Sequence, residues 1–115
     1  MALSMTLEED VARWTLVLRG DLDYAECSTF RMTIDRILKH APQETIVDLS
    51  GVDYLDSSGL GLLLSLSKEY GAHGGRLVLI TNESVDSILD LTRLTSIFSC
   101  ARSTDEAQAL LGDAS

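Results

Sequence analysis

The segment Asp56–Gly61 places two serine hydroxyls beside a carboxylate and two glycines. It follows a mainly apolar run over 46–49 and precedes an apolar run over 60–66, an order that predicts a strand, a short polar turn and a helix. Ser57 then lies near the helix N-terminus with its hydroxyl directed outward. Such a hydroxyl can carry a phosphate, because the free backbone N–H groups and the helix dipole both favour negative charge there. The segment therefore predicts a switch rather than a catalyst.

A hydrolase nucleophile is the alternative interpretation of Ser57. The nucleophile elbow needs a glycine two residues before the serine and another two residues after it, and Leu55 occupies the first of these positions. The two histidines, His40 and His73, fall near predicted helix C-termini, where a histidine favours the dipole or caps carbonyls. We therefore expect no catalytic triad and no enzymatic activity.

Four aspartates lie near two predicted helix starts: Asp21, Asp23, Asp53 and Asp56. If those helix starts meet in space, the carboxylates form an acidic cluster, which is one arrangement that holds a divalent metal ion. Aspartate also caps helices and forms turns routinely, and that interpretation is favoured here. We therefore expect no dedicated metal site.

The glycine pair Gly59 and Gly61 lacks the third glycine of a dinucleotide-binding fingerprint. The Lys-Ser/Thr end of a phosphate-binding loop is missing as well. Small residues at these positions instead let a helix pack close to a sheet or leave the turn accessible. No cofactor is expected.

Composition limits the class of protein. The chain has 115 residues, of which 45% are hydrophobic and only 5% aromatic, which suits one domain with an aliphatic core. Nine basic residues against eighteen acidic ones give a formal charge of -9. Binding to a nucleic acid backbone needs Lys and Arg, so nucleic acid is a poor partner, as is an anionic membrane. A basic protein partner is compatible with this charge.

The sequence shows no sign of a signal peptide or a membrane span, so a cytoplasmic location is expected by default. The first ten residues lack a basic region followed by an apolar core, so no signal peptide is predicted. No apolar run approaches the ~20 residues of a membrane span. Cys27 and Cys100 lack metal-ligand spacing and are either a disulfide or, as we favour, two ordinary buried thiols.

Hydrophobic periodicity predicts the elements that carry these residues. Alternation indicates a strand over 11–19, with Ala12 and Trp14 on its apolar side, and a weaker strand precedes it over about 3–8. Helical spacing begins at Tyr24, with Asp23 as its N-cap. The remaining predicted elements are a strand over about 45–49, a helix from Ser57 to about Tyr70, a strand over 77–80, a short helix around 85–89, a strand over 97–101 and a helix over about 104–111.

The predicted order is β-β-α-β-α-β-α-β-α. Strands that alternate with helices imply an α/β fold with a mostly parallel sheet and helices packed against it.

The run 46–61 resembles bacterial anti-sigma factor antagonists of the STAS domain class. The segment Gly20–Asp23 is similar to that family's Gly-Glu-Leu-Asp segment, with Asp21 in place of the commoner glutamate. The resemblance covers about residues 8–112 and implies one STAS domain over 1–115. It implies a mixed sheet of four to five strands with about four helices.

The resemblance also implies a regulatory cycle. In this family the serine directly after the aspartate, here Ser57, is phosphorylated by an anti-sigma factor that is also a serine kinase, and a serine phosphatase removes the phosphate. The unphosphorylated antagonist binds the anti-sigma factor, which then releases its sigma factor. The residues expected to surround the site and contact the partner are Asp21, Asp23, Asp56, Ser58, Gly59 and Gly61.

The resemblance suggests a monomer that forms a heterocomplex. A different role within the family is a ligand-binding or scaffolding domain of a transporter, lipid-trafficking or stress-sensing assembly, which needs no phosphorylatable serine. Arg93 stands where many relatives have glycine after the short helix. Because a residue with a side chain disfavours positive φ, we expect that helix end to differ and to influence partner choice.

Overall fold

Five strands form one mixed sheet in the order β1-β2-β3-β4-β5. This computed structural model describes residues 2–112. The strands are β1 (Ser4–Glu9), β2 (Arg13–Leu22), β3 (Glu44–Leu55), β4 (Arg76–Ile80) and β5 (Ser99–Ala101). β1 pairs with β2 in antiparallel fashion, and the other three neighbouring pairs are parallel. The prediction of a mostly parallel sheet is confirmed.

Four helices connect or follow the strands. They are α1 (Cys27–His40), α2 (Ser57–His73), α3 (Glu83–Leu91) and α4 (Thr104–Leu110), and a 3-10 turn over Tyr24–Glu26 precedes α1. The chain is thus a single α/β domain with the predicted order of elements. Over residues 2–112, none of the helices has both the length and the apolar character that crossing a bilayer requires.

The sheet has two apolar faces because successive side chains of a strand point to opposite sides. One face carries the larger core, in which Trp14, Leu16 and Leu18 of β2 pack with residues of α1 and α2 such as Phe30 and Leu63. The other face carries a smaller cluster beneath α4, made by Ile46, Val78, Ile80, Ala101, Ala107 and Leu111. Trp14 is a core residue, as predicted.

Two strands reach further than the sequence pattern indicates. β2 continues past residue 19 to Leu22, and β3 continues past residue 49 to Leu55. These extensions pair with each other, with register irregularities near Val17 and Gly20. Because the pairing partner is distant in the chain, local alternation does not reveal it. Both strands therefore deliver their last residues to the same edge of the sheet.

Three further element boundaries also differ from those predicted from the sequence. Ala12 is exposed and precedes β2, Gly71 lies inside α2, and Ile97 is half-exposed in a turn before β5. β5 has only three residues, which pair with Val78–Ile80 at the end of β4. Both cysteines are free thiols and half-buried, so the disulfide alternative is wrong for this structure.

Candidate functional site

Ser57 is the first residue of α2, directly after the cap residue Asp56. β3 ends at Leu55, so a single residue with extended backbone (φ -97°, ψ 179°) turns the chain from strand to helix. The Ser57 side chain is exposed. The predicted strand-turn-helix setting and the outward serine are both confirmed.

The Asp56 carboxylate occupies the donors of the first helical turn. Its Oδ1 accepts hydrogen bonds from the N–H groups of Ser58 at 2.9 Å and Gly59 at 3.1 Å. The Leu60 N–H donates to the Asp56 carbonyl at 3.0 Å. The sequence-based expectation that free N–H groups surround Ser57 is therefore wrong for these amides, because an aspartate cap satisfies them first. A phosphate on Ser57 would gain from the helix dipole but would lie beside a carboxylate.

The same carboxylate also holds the beginning of the helical segment that leads into α1. Asp56 Oδ2 accepts a hydrogen bond from the Tyr24 N–H at 2.9 Å. The Asp56 N–H donates to the Leu22 carbonyl at 3.2 Å. Asp56 thus joins the end of β2 to the start of α2, two segments that are more than thirty residues apart in the chain.

Asp23 is the N-cap residue of the 3-10 turn that leads into α1, as predicted by position, but its side chain accepts no capping hydrogen bond. It precedes the 3-10 turn, and its Oδ1 is buried without a hydrogen-bond partner among residues 2–112. Its carbonyl accepts from the Glu26 N–H at 3.0 Å and from the Cys27 thiol at 3.4 Å. The Glu26 N–H, which a capping side chain at Asp23 could accept, donates to the backbone carbonyl of Asp23 instead.

Gly59 lets α2 approach the sheet closely, whereas Gly61 does not need to be glycine for space. A Cβ built on Gly59 would lie 2.7 Å from Leu22 Cγ, 2.8 Å from the Leu22 carbonyl oxygen and 2.9 Å from Leu55 Cδ1. A Cβ on Gly61 meets nothing within 4 Å, and that residue is exposed. The close-packing role predicted for the glycine pair therefore belongs to Gly59. Gly61 lies one turn beyond Ser57 on the open side of the helix.

The acidic residues gather at this edge of the sheet without forming a metal-binding group. Asp21 pairs in register with Tyr54 of β3 and is half-buried, and Asp53 is exposed on the same strand. Over residues 2–112, no three histidine, cysteine, aspartate or glutamate side chains are arranged to hold a metal ion. Asp56 acts as a cap instead, and Asp21 is part of a strand.

Burial and the negative charge at this site both raise the pKa of a nearby thiol, that of Cys27. The pKa of Cys27 is raised first by burial and then by the negative charges of Asp56 and Asp23, while Arg31 opposes the shift. A thiolate is therefore disfavoured at Cys27. An added phosphate would meet the same field.

Two exposed tyrosines at this edge were not predicted as site residues. Tyr24 is 78% exposed and Tyr54 is 53% exposed. The exposure of Tyr24 could have been predicted, because this residue stands at the very start of the helical pattern and outside its apolar stripe. For Tyr54 no signal was available, because the strand was expected to end before it.

The histidines lie too far from Ser57 to act as a catalytic base. His73 is the last residue of the 17-residue α2, which places it about 24 Å from Ser57 at about 1.5 Å per residue. His40 ends α1, and its ring lies 4.9 Å from the ring of Trp14, near the start of β2. The residues at this site therefore do not form a serine-histidine nucleophile.

Arg93 adopts the left-handed conformation that glycine would favour. Its φ is 60°, directly after Thr92 at the end of α3. The Leu94 N–H then closes the helix end on the Leu89 carbonyl at 2.8 Å. The helix end thus keeps a positive φ although arginine disfavours it, and the influence of Arg93 on partner choice stays a prediction.

The amino-acid sequence of this chain is similar to a known protein family and to named proteins within the bacteria. Residues 4–107 match the family model described as the STAS domain. An anti-sigma F factor antagonist of Paenibacillus polymyxa is 30% identical over 99 residues, which cover 83% of this chain and 85% of that protein.

Solved structures share the fold. The unphosphorylated form of the anti-sigma factor antagonist SpoIIAA superposes with a TM-score of 0.80 at 23% identity, over 97% of this chain and 100% of that one. SpoIIAA of Bacillus in its phosphorylated form gives a TM-score of 0.72 at 22% identity, over 94% of this chain and 99% of that one.

Proposed function

The chain belongs to the STAS domain family, and on that premise we propose that it is an anti-sigma factor antagonist switched by phosphorylation of Ser57. In the unphosphorylated state it binds an anti-sigma factor that is also a serine kinase, and the anti-sigma factor releases its sigma factor. Phosphorylation by that kinase ends the interaction, and a serine phosphatase restores it. The chain acts as a monomer that forms a heterocomplex and carries out no catalysis itself.

The observation that carries this proposal is the exposed Ser57 hydroxyl at the first position of α2. A kinase can reach it without unfolding the domain, and the helix dipole favours the charge that the reaction adds. The neighbouring Ser58 is half-buried and therefore a poorer acceptor. The name of the 30%-identical relative and the existence of a phosphorylated SpoIIAA support the same role.

The proposed switch is electrostatic. A phosphoserine carries a charge of about -1.5 to -2. At a protein interface this charge would be desolvated close to the Asp56 carboxylate, which is already bonded to three N–H groups. A loss of about 3 kcal/mol in binding free energy is more than a hundredfold in affinity. No rearrangement of the domain is required, since Asp56 continues to cap α2.

Phosphorylation can be tested with a purified anti-sigma serine kinase from the source organism and radiolabelled ATP. We expect the wild-type chain to be labelled, Ser57→Ala to remain unlabelled, and the adjacent Ser58→Ala to be labelled like the wild type. Label in Ser57→Ala equal to that of the wild type would contradict the assignment of the site.

Binding is tested separately by calorimetry with the same kinase. The unphosphorylated chain is expected to bind, and the chain phosphorylated at Ser57 to bind at least about a hundredfold more weakly. Treatment with a serine phosphatase should restore the original affinity. Equal affinity of the two forms would show that the phosphate is not the switch.

A further inference from the structure

We propose that Tyr24 is an aromatic anchor of the surface that binds the anti-sigma factor, and that Asp56 is its positioning residue. This inference rests on the proposed function and names a contact within it. The Asp56 carboxylate then positions both residues, because it caps the helix that begins at Ser57 and accepts a hydrogen bond from the Tyr24 N–H.

The first reason is the exposure of Tyr24. Its side chain is 78% exposed, so the fold itself gains little from an aromatic ring at this position. Tyrosine is enriched among the residues that contribute most to protein–protein binding, because its large ring is buried on association while its hydroxyl keeps a polar contact. The position is therefore better suited to binding than to packing.

The second reason is the location of Tyr24 relative to Ser57. The Tyr24 N–H donates to Asp56 Oδ2 at 2.9 Å, and Ser57 directly follows Asp56 in the chain. A partner that covers the Ser57 hydroxyl must therefore approach the Tyr24 backbone as well. A surface patch of ordinary interface size, about 800 Å² on each partner, easily includes both residues.

The third reason is that the Tyr24 backbone is already ordered. It begins the 3-10 turn, which the bond from the Glu26 N–H to the Asp23 carbonyl closes at 3.0 Å. The bond to Asp56 fixes the same residue from the other side. Only the two side-chain torsions of Tyr24 remain to be fixed on binding, and a tyrosine anchor therefore loses little conformational entropy.

The charges around Tyr24 indicate what kind of surface accepts it. Asp23 and Asp56 flank it in space, and both raise the pKa of nearby Cys27, so their field reaches across the site. The whole chain carries a formal charge of -9. We infer a partner surface with an apolar pocket for the ring and a rim of Arg and Lys side chains. A second copy of this chain lacks that complementarity, since two such acidic faces repel each other.

The test measures affinity for the purified anti-sigma serine kinase that the wild-type chain binds. Tyr24→Ala is expected to bind at least about tenfold more weakly, and Tyr24→Phe, which keeps the ring, to stay within about threefold of the wild type. The matched control is Met32→Ala on α1, whose side chain is 73% exposed, and we expect less than a twofold change. Thermal unfolding should be nearly the same for all four proteins, because both side chains are exposed.

Three outcomes would overturn the inference. If Tyr24→Ala keeps wild-type affinity while Ser57 is still labelled by the kinase, Tyr24 is not an anchor and the proposed function stands. If sedimentation shows a wild-type dimer that Tyr24→Ala abolishes, the ring serves self-association instead. If the wild-type chain neither binds nor is labelled by any anti-sigma serine kinase of its organism, the proposed function fails and this inference fails with it.

Should Tyr24→Ala unfold, Tyr24→Gln provides a polar replacement of similar reach at the same exposed position. It is expected to lose affinity as Tyr24→Ala would, because the contribution comes from the ring.

Discussion

Gly59 lies against Leu22 so closely that a Cβ on Gly59 would be 2.7 Å from the Leu22 side chain and 2.8 Å from its carbonyl oxygen. This contact brings the start of α2 onto the end of β2. Together with the hydrogen bonds that join Asp56 to Tyr24 and to Leu22, it sets the position of Ser57.

The first prediction compares the two glycines of α2. Gly59→Ala should lower the free energy of unfolding by about 1–3 kcal/mol, because the added methyl group must displace backbone as well as side-chain atoms. Gly61→Ala should raise it by about 0.5–1 kcal/mol, since the site is open and alanine favours a helix. Urea unfolding measures both. Equal effects of the two substitutions would contradict the close approach at Gly59.

The second prediction separates the two hydrogen-bonding roles of Asp56. Asp56→Ala removes the cap of α2 and the acceptor for Tyr24, so it should cost about 2 kcal/mol or more in unfolding free energy. Asp56→Asn can retain the cap through its carbonyl oxygen while its amide nitrogen cannot accept from Tyr24, and it should cost about 1 kcal/mol.

Ser103→Ala is a useful control for this pair, because Ser103 caps α4 through one bond to the Glu106 N–H at 3.1 Å. It should cost about 1 kcal/mol. An Asp56→Ala variant that loses no more stability than Ser103→Ala would argue against a second role for Asp56.

The third prediction concerns the buried hydrogen bond between Thr45 and Tyr70. Both residues are almost fully buried, with 0% and 4% of their surface exposed. Tyr70→Phe or Thr45→Val alone leaves one hydroxyl without this partner and should cost about 1–3 kcal/mol. The double variant should cost less than the sum of the two, by at least about 0.5 kcal/mol. Additive losses would show that the hydroxyls are not coupled.

The fourth prediction is a pH dependence at Tyr70. Burial raises the pKa of its hydroxyl, and the bond to Thr45 opposes the shift only in part. The folded state therefore binds the phenolic proton more tightly than the unfolded state, whose pKa is about 10. The contribution of this group to stability is fully present below pH ~10 and is lost as pH rises further. The stability difference between wild type and Tyr70→Phe should accordingly shift against the wild type above pH ~10, and a difference that stays constant would refute this.

The fifth prediction addresses the left-handed residue after α3. Arg93→Gly should raise the free energy of unfolding by about 0.5–1 kcal/mol, because glycine adopts a φ of 60° without steric strain. Arg93→Ala keeps a Cβ and should leave the stability nearly unchanged. If alanine stabilises as much as glycine, the gain comes from removing the arginine side chain and not from relief of the backbone.

The secondary structure could be predicted because its signals are local. Each signal lies within a few consecutive residues. The alternation around Trp14 predicts β2, the apolar run over 77–80 predicts β4, and the spacing of Ser103 and Glu106 predicts α4, and the structure contains all three. Boundaries were predicted less well where strand pairing decides them. β2 and β3 extend to Leu22 and Leu55 because they pair with each other at that end.

By itself, the sequence determined the order of the elements, the start of a helix at Ser57 and the exposure of that serine, since an aspartate cap followed by a helical apolar pattern needs no distant contact. Only the tertiary structure decided what Asp56 does with its second oxygen. The bond to Tyr24 crosses 32 residues of sequence and exists because two strands end at the same edge of the sheet. Asp23 keeps the N-cap position without the side-chain bond expected of it, and the occupied amides of Ser58 and Gly59 replaced the free donors expected around Ser57. Local propensity selects the elements, whereas hydrogen-bond partners at their ends depend on which elements become neighbours.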